Sequence, residues 1–444
     1  MIIQTAAKWA QAEFGDAELG DARRTARLVK CAMALAERPG GTLPEPLSKW
    51  SELKAAYRLL GNAEITFERV QKGHWQRTQQ ACGNRGEYLL IEDTTQLDYT
   101  RHEATTGLGR IGNDGGRGFH VHTTLAARVE RWTAEREPML NVQGLFWQQV
   151  WTRDDAPRKG RVSKSQRLKG PRESQRWAAA FDQAGGPPPG VQWTYIADRE
   201  SDIAEVFAKT SEYGVAFIVR ANQPRVAVAE EGNVFELAGR APVKGAFTVK
   251  LRARPGQPAR TATVQARARE VTIRGPWRPN GNLPSQTMNV VEIRETEPPP
   301  GVAGLHWVLL TSWPCETLEQ CHAIAQAYGA RWLIEEYHKA LKSGTGMEES
   351  QLSTAHGLQA LLGVLALVAV RLLGLKLAAR AEPDRPLDLN LLGAEVIAVL
   401  EAKYGKPKEG WTHRSTLVAI ARLGGFLARK GDGDPGWLTI WRGW

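Results

Sequence analysis

Short apolar runs alternate with helical stretches over residues 88–220, and this alternation restricts the chain to few folds. The run at 88–91 (Tyr-Leu-Leu-Ile) stops at Glu92-Asp93. Residues 119–127 and 145–151 have the composition of further strands. Residues 174–184 read as a helix stopped by Gly185-Gly186 and three prolines, and 191–197 as a strand stopped by Asp198. A helix over 203–210 and a strand over 214–220 follow. Strands alternating with helices call for a sheet covered on its faces, an α/β architecture. A basic stretch at 157–171, with Arg158, Lys159, Arg161, Lys164, Arg167 and Lys169, reads as a loop.

The flanks differ in character. Residues 1–75 read as helical. In 21–37, Leu28, Ala32 and Leu35 share one side, with Arg23, Arg24 and Arg27 elsewhere, and a second helix at 50–60 stops at Gly61-Asn62. A small basic helical domain at a chain terminus suits nucleic-acid binding. Residues 223–303 carry short runs at 247–252, 261–266, 271–274 and 290–294, broken by Gly, Pro or charges, and read as a mostly β insertion. A strand at 305–312 precedes a helical remainder, with 358–375 its most buried-looking part. The apolar run 360–370 ends at Arg371 and is too short to span a bilayer, so no membrane contact is expected.

The 444 residues suggest two or three domains. Lys and Arg number 58 against 48 Asp and Glu, a net +10 that points to a polyanionic partner. Cys31, Cys82, Cys315 and Cys321 form no CxxC pair, so neither a structural zinc nor a disulfide framework is expected. The opening MIIQTAAKWAQAEF lacks the features of a secretory signal, which favours a reduced, cytoplasmic location.

Three acidic residues stand out by context. Asp93 and Asp198 each end an apolar strand, and sites in open α/β sheets collect where strands end. The third lies in a helix after the 305–312 strand. Tyr328, Arg331, Glu335 and Lys342 are spaced i, i+3, i+7 and i+14, which at about 100° per residue places them within an arc of about 60°. Ile334, Tyr337 and Leu341 fall opposite. Asp93, Asp198 and Glu335 could converge to hold two Mg²⁺ ions, hard cations that favour carboxylate oxygens. Such a pair suits in-line cleavage of phosphate esters. Glu92, Glu200, Asp202 and Glu336 are neighbouring acids that compete for these roles.

The motif Tyr-x2-Arg-x3-Glu-x6-Lys, here Tyr328, Arg331, Glu335 and Lys342, resembles the signature of bacterial DDE transposases of the insertion-sequence-four family. LLIEDTTQLDY resembles the family's first-Asp strand and IADRESDI its second. LHWVLLTSWP with YGARWLIEEYHKALKSG resembles the strand and helix that carry its Glu. GDARRTARLV and AAYRLL resemble its DNA-binding domain, and AIARLGGF its C-terminal part. The likeness runs from about residue 9 to 444.

The resemblance implies an RNase H-like core with a β-rich insertion, flanked by an N-terminal helical DNA-binding domain and a C-terminal helical region. The expected limits are 1–75 for DNA binding, 76–222 and 304–350 for the core, 223–303 for the insertion and 351–444 for the C-terminal part. It implies cut-and-paste transposition: nicking, hairpin formation, hairpin opening and transfer of the 3′-OH to target DNA. Asp93, Asp198 and Glu335 would hold two Mg²⁺, with Mn²⁺ as a substitute. Tyr328, Arg331 and Lys342 would contact phosphates, and Trp307 would stack on a flipped base. Arg220 and Arg225 would meet DNA, while Arg23, Arg24 and Arg27 would serve recognition of element ends. The implied partners are double-stranded terminal inverted repeats and target DNA, bound by a homodimer in the bacterial cytoplasm at the nucleoid. Longer members of the family carry a further helical segment for pairing two subunits, and a position near Phe119-His120 that is aromatic in relatives is His here. A non-catalytic DNA-binding regulator derived from a transposase, or a hydrolase of small phosphate esters, are the other functions these residues allow.

Overall fold

The first helices start where short polar side chains can accept from free backbone N–H groups. The computed structural model describes residues 5–40, 42–112, 115–153, 173–228, 230–252, 257–279, 281–387 and 394–444. The expected loop at 157–171 lies outside them. Thr5 caps α1 (Ala6–Phe14) and Asp21 caps α2 (Ala22–Glu37). Helix α2 buries Leu28, Cys31, Ala32 and Leu35, one stripe at helical spacing. Helix α3 (Trp50–Leu60) ends at Gly61, and Thr66 caps α4 (Phe67–Ala81).

The expected break after residue 75 falls inside α4. This helix continues because its second half packs on the sheet. His74 Nε2 accepts from Leu145 N at 2.9 Å, and Gln79 Nε2 donates to Phe146 O at 3.0 Å.

The sheet begins with β1 (Gly86–Asp98), β2 (Gly109–Ile111), β3 (Gly116–Trp132) and β4 (Pro138–Trp151), all antiparallel neighbours. A 3₁₀ turn (Glu173–Ala178) and α5 (Ala179–Ala184) stand where one helix was expected. Then come β5 (Val191–Ala197), α6 (Ala204–Tyr213) and β6 (Ala216–Arg220). Gly214 ends α6 at φ 66°, a left-handed cap that glycine adopts without a Cβ penalty. Strands β1, β5 and β6 are parallel.

After α7 (Val234–Arg240) the insertion adds β7 (Val243–Leu251), β8 (Arg260–Ile273) and β9 (Gln286–Glu295), and β10 (His306–Thr311) returns beside β6. The ten strands form one sheet in the order β2-β3-β1-β5-β6-β10-β9-β8-β7, with β4 on β3. The runs 261–266 and 271–274 are parts of one strand, β8. Ala262, Val264, Ala266 and Ala268 alternate inward while Arg267 and Arg269 point outward, so charges that looked like breaks are the solvent side of the pleat.

Helices α8 (Leu318–Gly329), α9 (Trp332–Lys339), α10 (Ala355–Ala381), α11 (Ala394–Tyr404), α12 (His413–Leu423) and α13 (Trp437–Gly443) complete the chain. Helix α10 is long and apolar enough to cross a membrane, yet protein covers most of it. Arg371 does not end it. Its guanidinium is buried between the Trp9 and Trp444 rings, 5.6 and 5.9 Å from their centroids. Leu89, Ile91, Ile196, Ile218 and Leu309 pack one face of the sheet under the helices, and Leu90, Tyr195, Phe217 and Leu310 pack the other.

Candidate active site

Strand alternation decides which acids meet. Asp93 lies two residues beyond Ile91, and Asp198 two beyond Ile196, so both project from the helix-covered face. Asp93 does not end its strand as expected, because β1 stays paired with β3 as far as Asp98. What ends is the parallel ladder to β5, whose last pair is Glu92 with Ala197. Asp93 and Asp198 therefore stand one step past the ladder on neighbouring strands, which are about 4.8 Å apart. Asp198 also caps the turn Arg199–Ser201, accepting from Glu200 N at 2.8 Å. Burial first, and the charge of Asp198 second, push the Asp93 carboxyl up to about 7, against the pull of Arg331.

Glu335 comes to this end of the strands from α9. The stripe that carries it is not one continuous helix. The chain breaks at Ala330-Arg331, where Arg331 N donates to Tyr328 O at 3.0 Å and Ile334 N to Arg331 O at 3.1 Å. These i→i+3 bonds tighten the turn, and residues 340–344 then widen into a π-turn. A constant 100° per residue fails at both places. Arg331 nevertheless joins two acids: Nη2 is 2.6 Å from Glu335 Oε1, and Nη1 is 3.5 Å from Asp93 Oδ2.

Tyr328 is buried, which pushes its phenol up, against the opposing charges of Arg331 and Arg220. Arg220 Nη2 donates to His306 O at 2.9 Å. The Trp307 ring meets Tyr328 edge-on at 5.1 Å. Lys342 stands in the π-turn with Nζ 3.6 Å from Glu348 Oε1, an oxygen that also accepts from Asp98 N at the end of β1. Asp93, Asp198, Glu335, Arg331, Tyr328, Arg220 and Trp307 thus gather past the carboxyl ends of the parallel strands in the middle of the sheet.

The other expected contacts stand apart. Arg225 turns inward: Nε is 2.5 Å from Asp202 Oδ1 and Nη2 donates to Asp202 O at 2.6 Å. Asp202 is fully buried at its side chain. Removing Arg225 leaves that buried carboxylate with the Asn222 and Gln223 N–H groups and no countercharge, so Arg225→Ala is expected to cost about 3–5 kcal/mol of stability. DNA affinity of the folded fraction should stay unchanged, as urea denaturation and a filter-binding titration would show. On α2, Arg23 is fully exposed and pairs with Asp21 at 2.7 Å, Arg24 Nη1 donates to Leu19 O at 2.9 Å, and Arg27 is half-buried.

A second buried group forms around Glu92, the neighbour that competed with Asp93. Glu92, on the opposite face from Asp93, accepts from Thr124 Oγ1 at 2.7 Å and Tyr195 Oη at 2.5 Å, and His122 Nε2 lies 3.1 Å away. The period of two along β1 separates it from Asp93. Buried His338, beside Arg331 and Lys342, is held down to about 3 by burial first and then by those cations and His122.

Among the described residues, no three His, Cys, Asp or Glu side chains already stand in the spacing of one ion. The Arg331 guanidinium bridges two of the three acids instead. The donor set still fits hard divalent cations: carboxylate oxygens, one of them strained by burial and by a like charge that a cation would relieve.

Two segments match known families. Residues 6–65 match the transposase DNA-binding family, and residues 187–371 match the transposase DDE domain. The second segment contains Asp198, Trp307, Tyr328, Arg331, Glu335 and Lys342, whereas Asp93 precedes it.

Proposed function

The chain carries both parts of a DDE transposase, and we propose that it excises and inserts DNA by cut-and-paste transposition with Asp93, Asp198 and Glu335 as its metal-holding triad. The observation that carries this reading is the placement of Asp93 and Asp198 one step past a shared parallel ladder, with one guanidinium joining Asp93 to Glu335. The strand order β4-β3-β1-β5-β6, antiparallel and then parallel, supports an RNase H-like core with residues 223–303 as its insertion. We read the chain as a member of the insertion-sequence-four family, similar to the transposon-five transposase.

The three carboxylates would hold two Mg²⁺ ions, with Mn²⁺ as a substitute. Bound, the pair activates an attacking water or 3′-OH and stabilises the leaving oxygen. The chain's own groups supply position and countercharge. Arg331 exchanges its carboxylate partners for a DNA phosphate, so its charge stays paired throughout. Lys342 releases Glu348 to reach a second phosphate, and Tyr328, beside Arg331 and Arg220, lines the same site. Trp307 offers a platform for a flipped base during hairpin formation, since an unstacked base needs a new aromatic neighbour. Helix α2, with exposed Arg23, faces the element end, and two copies act together on paired ends.

The test is incubation of the purified protein with duplex DNA bearing the inverted repeats that border its reading frame. With Mg²⁺, nicks at the repeat end followed by hairpins are expected. Duplex that is bound but left intact would favour the non-catalytic regulator. Binding should weaken steeply with salt, as counterion release requires.

A further inference from the structure

Glu335 is followed by a carboxylate that faces elsewhere. Glu336 lies about 100° further round α9 and is nearly out of solvent. Its Oε2 accepts from Lys376 Nζ of α10 at 2.8 Å and from Trp437 Nε1 of α13 at 2.6 Å. Its Oε1 accepts from Trp332 Nε1 at 3.3 Å and lies 3.8 Å from the Arg252 guanidinium, just beyond β7. The core helix, the helix α13 and the end of an insertion strand therefore meet at one side chain beside Glu335.

The surroundings reinforce this junction. Lys376 Nζ sits 4.1 Å from the Trp437 ring centroid, and Trp437 stacks on Trp441 at 5.3 Å and 18°. Trp441 lies against Gly344, the last residue of the π-turn that carries Lys342. A Cβ at Gly344 would stand 1.9 Å from the indole, so only glycine admits this contact. Helix α13 thus touches the Glu335 segment at both its helical part and its π-turn.

Helix α9 needs outside support to hold its rotation. It has eight residues and no side-chain cap at Arg331. Buried ion pairs contribute little net stability, because apolar replacements of similar volume are often as stable. What the polar junction adds is direction, since the donors of α10 and α13 reach the Glu336 oxygens in one orientation of α9. A rotation of about 10° would move a side-chain tip about 5–6 Å from the axis by roughly 1 Å, and such a misplacement costs about a hundredfold in a positioned reaction.

We propose that Glu336 is a positioning residue for Glu335, held by α13 through Trp437 and by α10 through Lys376, a role that rests on the reading of Glu335 as a metal ligand. The helix α13 then acts as a brace on the catalytic end of the parallel strands.

The test uses the full chain and compares wild type with Glu336→Gln, Trp437→Phe and the double variant Glu336→Leu/Lys376→Met. Single-turnover cleavage is followed against Mg²⁺ concentration, alongside DNA affinity and melting temperature. For Glu336→Gln, the Mg²⁺ concentration for half-maximal rate should rise about tenfold and the saturating rate should fall about 10–100-fold, with DNA affinity within about twofold. Trp437→Phe keeps the stacking on Trp441, loses one N–H donor, and should shift both values the same way by about threefold. The double variant removes the buried charge pair together and should recover wild-type melting without recovering the Mg²⁺ response, so instability of Glu336→Gln does not hide the effect. Wild-type Mg²⁺ dependence in Glu336→Gln, or recovery of rate and Mg²⁺ response along with melting in the double variant, overturns the positioning role. A wild-type protein that fails to cleave removes the transposase reading and this role with it, whereas a cleaving wild type with unaffected variants removes this role alone.

Discussion

Asp93→Asn is expected to reduce Mg²⁺-dependent strand cleavage by about three orders of magnitude and, without metal, to make the protein more stable. Both effects come from one carboxylate. Burial, and then Asp198, hold Asp93 up to about 7 against an ordinary 3.8. The folded protein therefore keeps this proton across about pH 4–7, where the unfolded chain has lost it. Unfolded chains then bind fewer protons, so stability falls as pH rises through that window and levels off above it. Asparagine cannot ionise and escapes this loss. Above pH 7 the variant should gain up to about 4 kcal/mol in EDTA, less what Arg331 loses with its partner, and at pH 4 the two proteins should melt alike. Thermal melts over pH 4–8 in EDTA, beside cleavage assays in Mg²⁺, measure both. A variant less stable than wild type at pH 8 would show that Asp93 is satisfied rather than strained.

Arg331→Ala is expected to move metal affinity and cleavage in opposite directions. The guanidinium lies 2.6 Å from Glu335 Oε1 and 3.5 Å from Asp93 Oδ2, where cations would compete with it. Its removal should tighten Mn²⁺ binding in the absence of DNA by about 3–10-fold, through relief of that competition. Cleavage at saturating metal should still fall about a hundredfold, because the phosphate loses its charged partner. Lysine should restore little, since a point charge cannot span two partners as the planar fork does. Calorimetric Mn²⁺ titration of both proteins decides the first effect. Weaker metal binding in the variant would mean that Arg331 organises the carboxylates rather than competing with ions for them.

Some of this site could be read directly from the residues. Asp198 ends a run whose apolar character stops with it, and Glu335 pairs with Arg331 at i and i+4, a spacing that survives the break just before α9. The apolar run stops at Asp93, but pairing with β3 carries the strand on to Asp98. The break at Ala330-Arg331 and the π-turn were hidden because helical periodicity assumes an uninterrupted helix. The resemblance made Arg225 a DNA contact, and the buried partner it faces, Asp202, is 23 residues away in the chain. Glu336 looked like a rejected neighbour of Glu335, since Trp437, which holds it, comes 101 residues later. Local pattern reports which face a residue takes, whereas long-range partners appear only when the sheet and the helices close on each other.

Asp93, Asp198 and Glu335 are expected to share divalent ions once Arg331 lets go. Anomalous scattering from crystals of the protein bound to element-end DNA and Mn²⁺ tests this directly. Two peaks within bonding distance of oxygens from all three carboxylates are predicted, with the Arg331 guanidinium moved onto a phosphate. Arg331 still bridging Asp93 and Glu335, with manganese bound elsewhere or to a single acid, would contradict it.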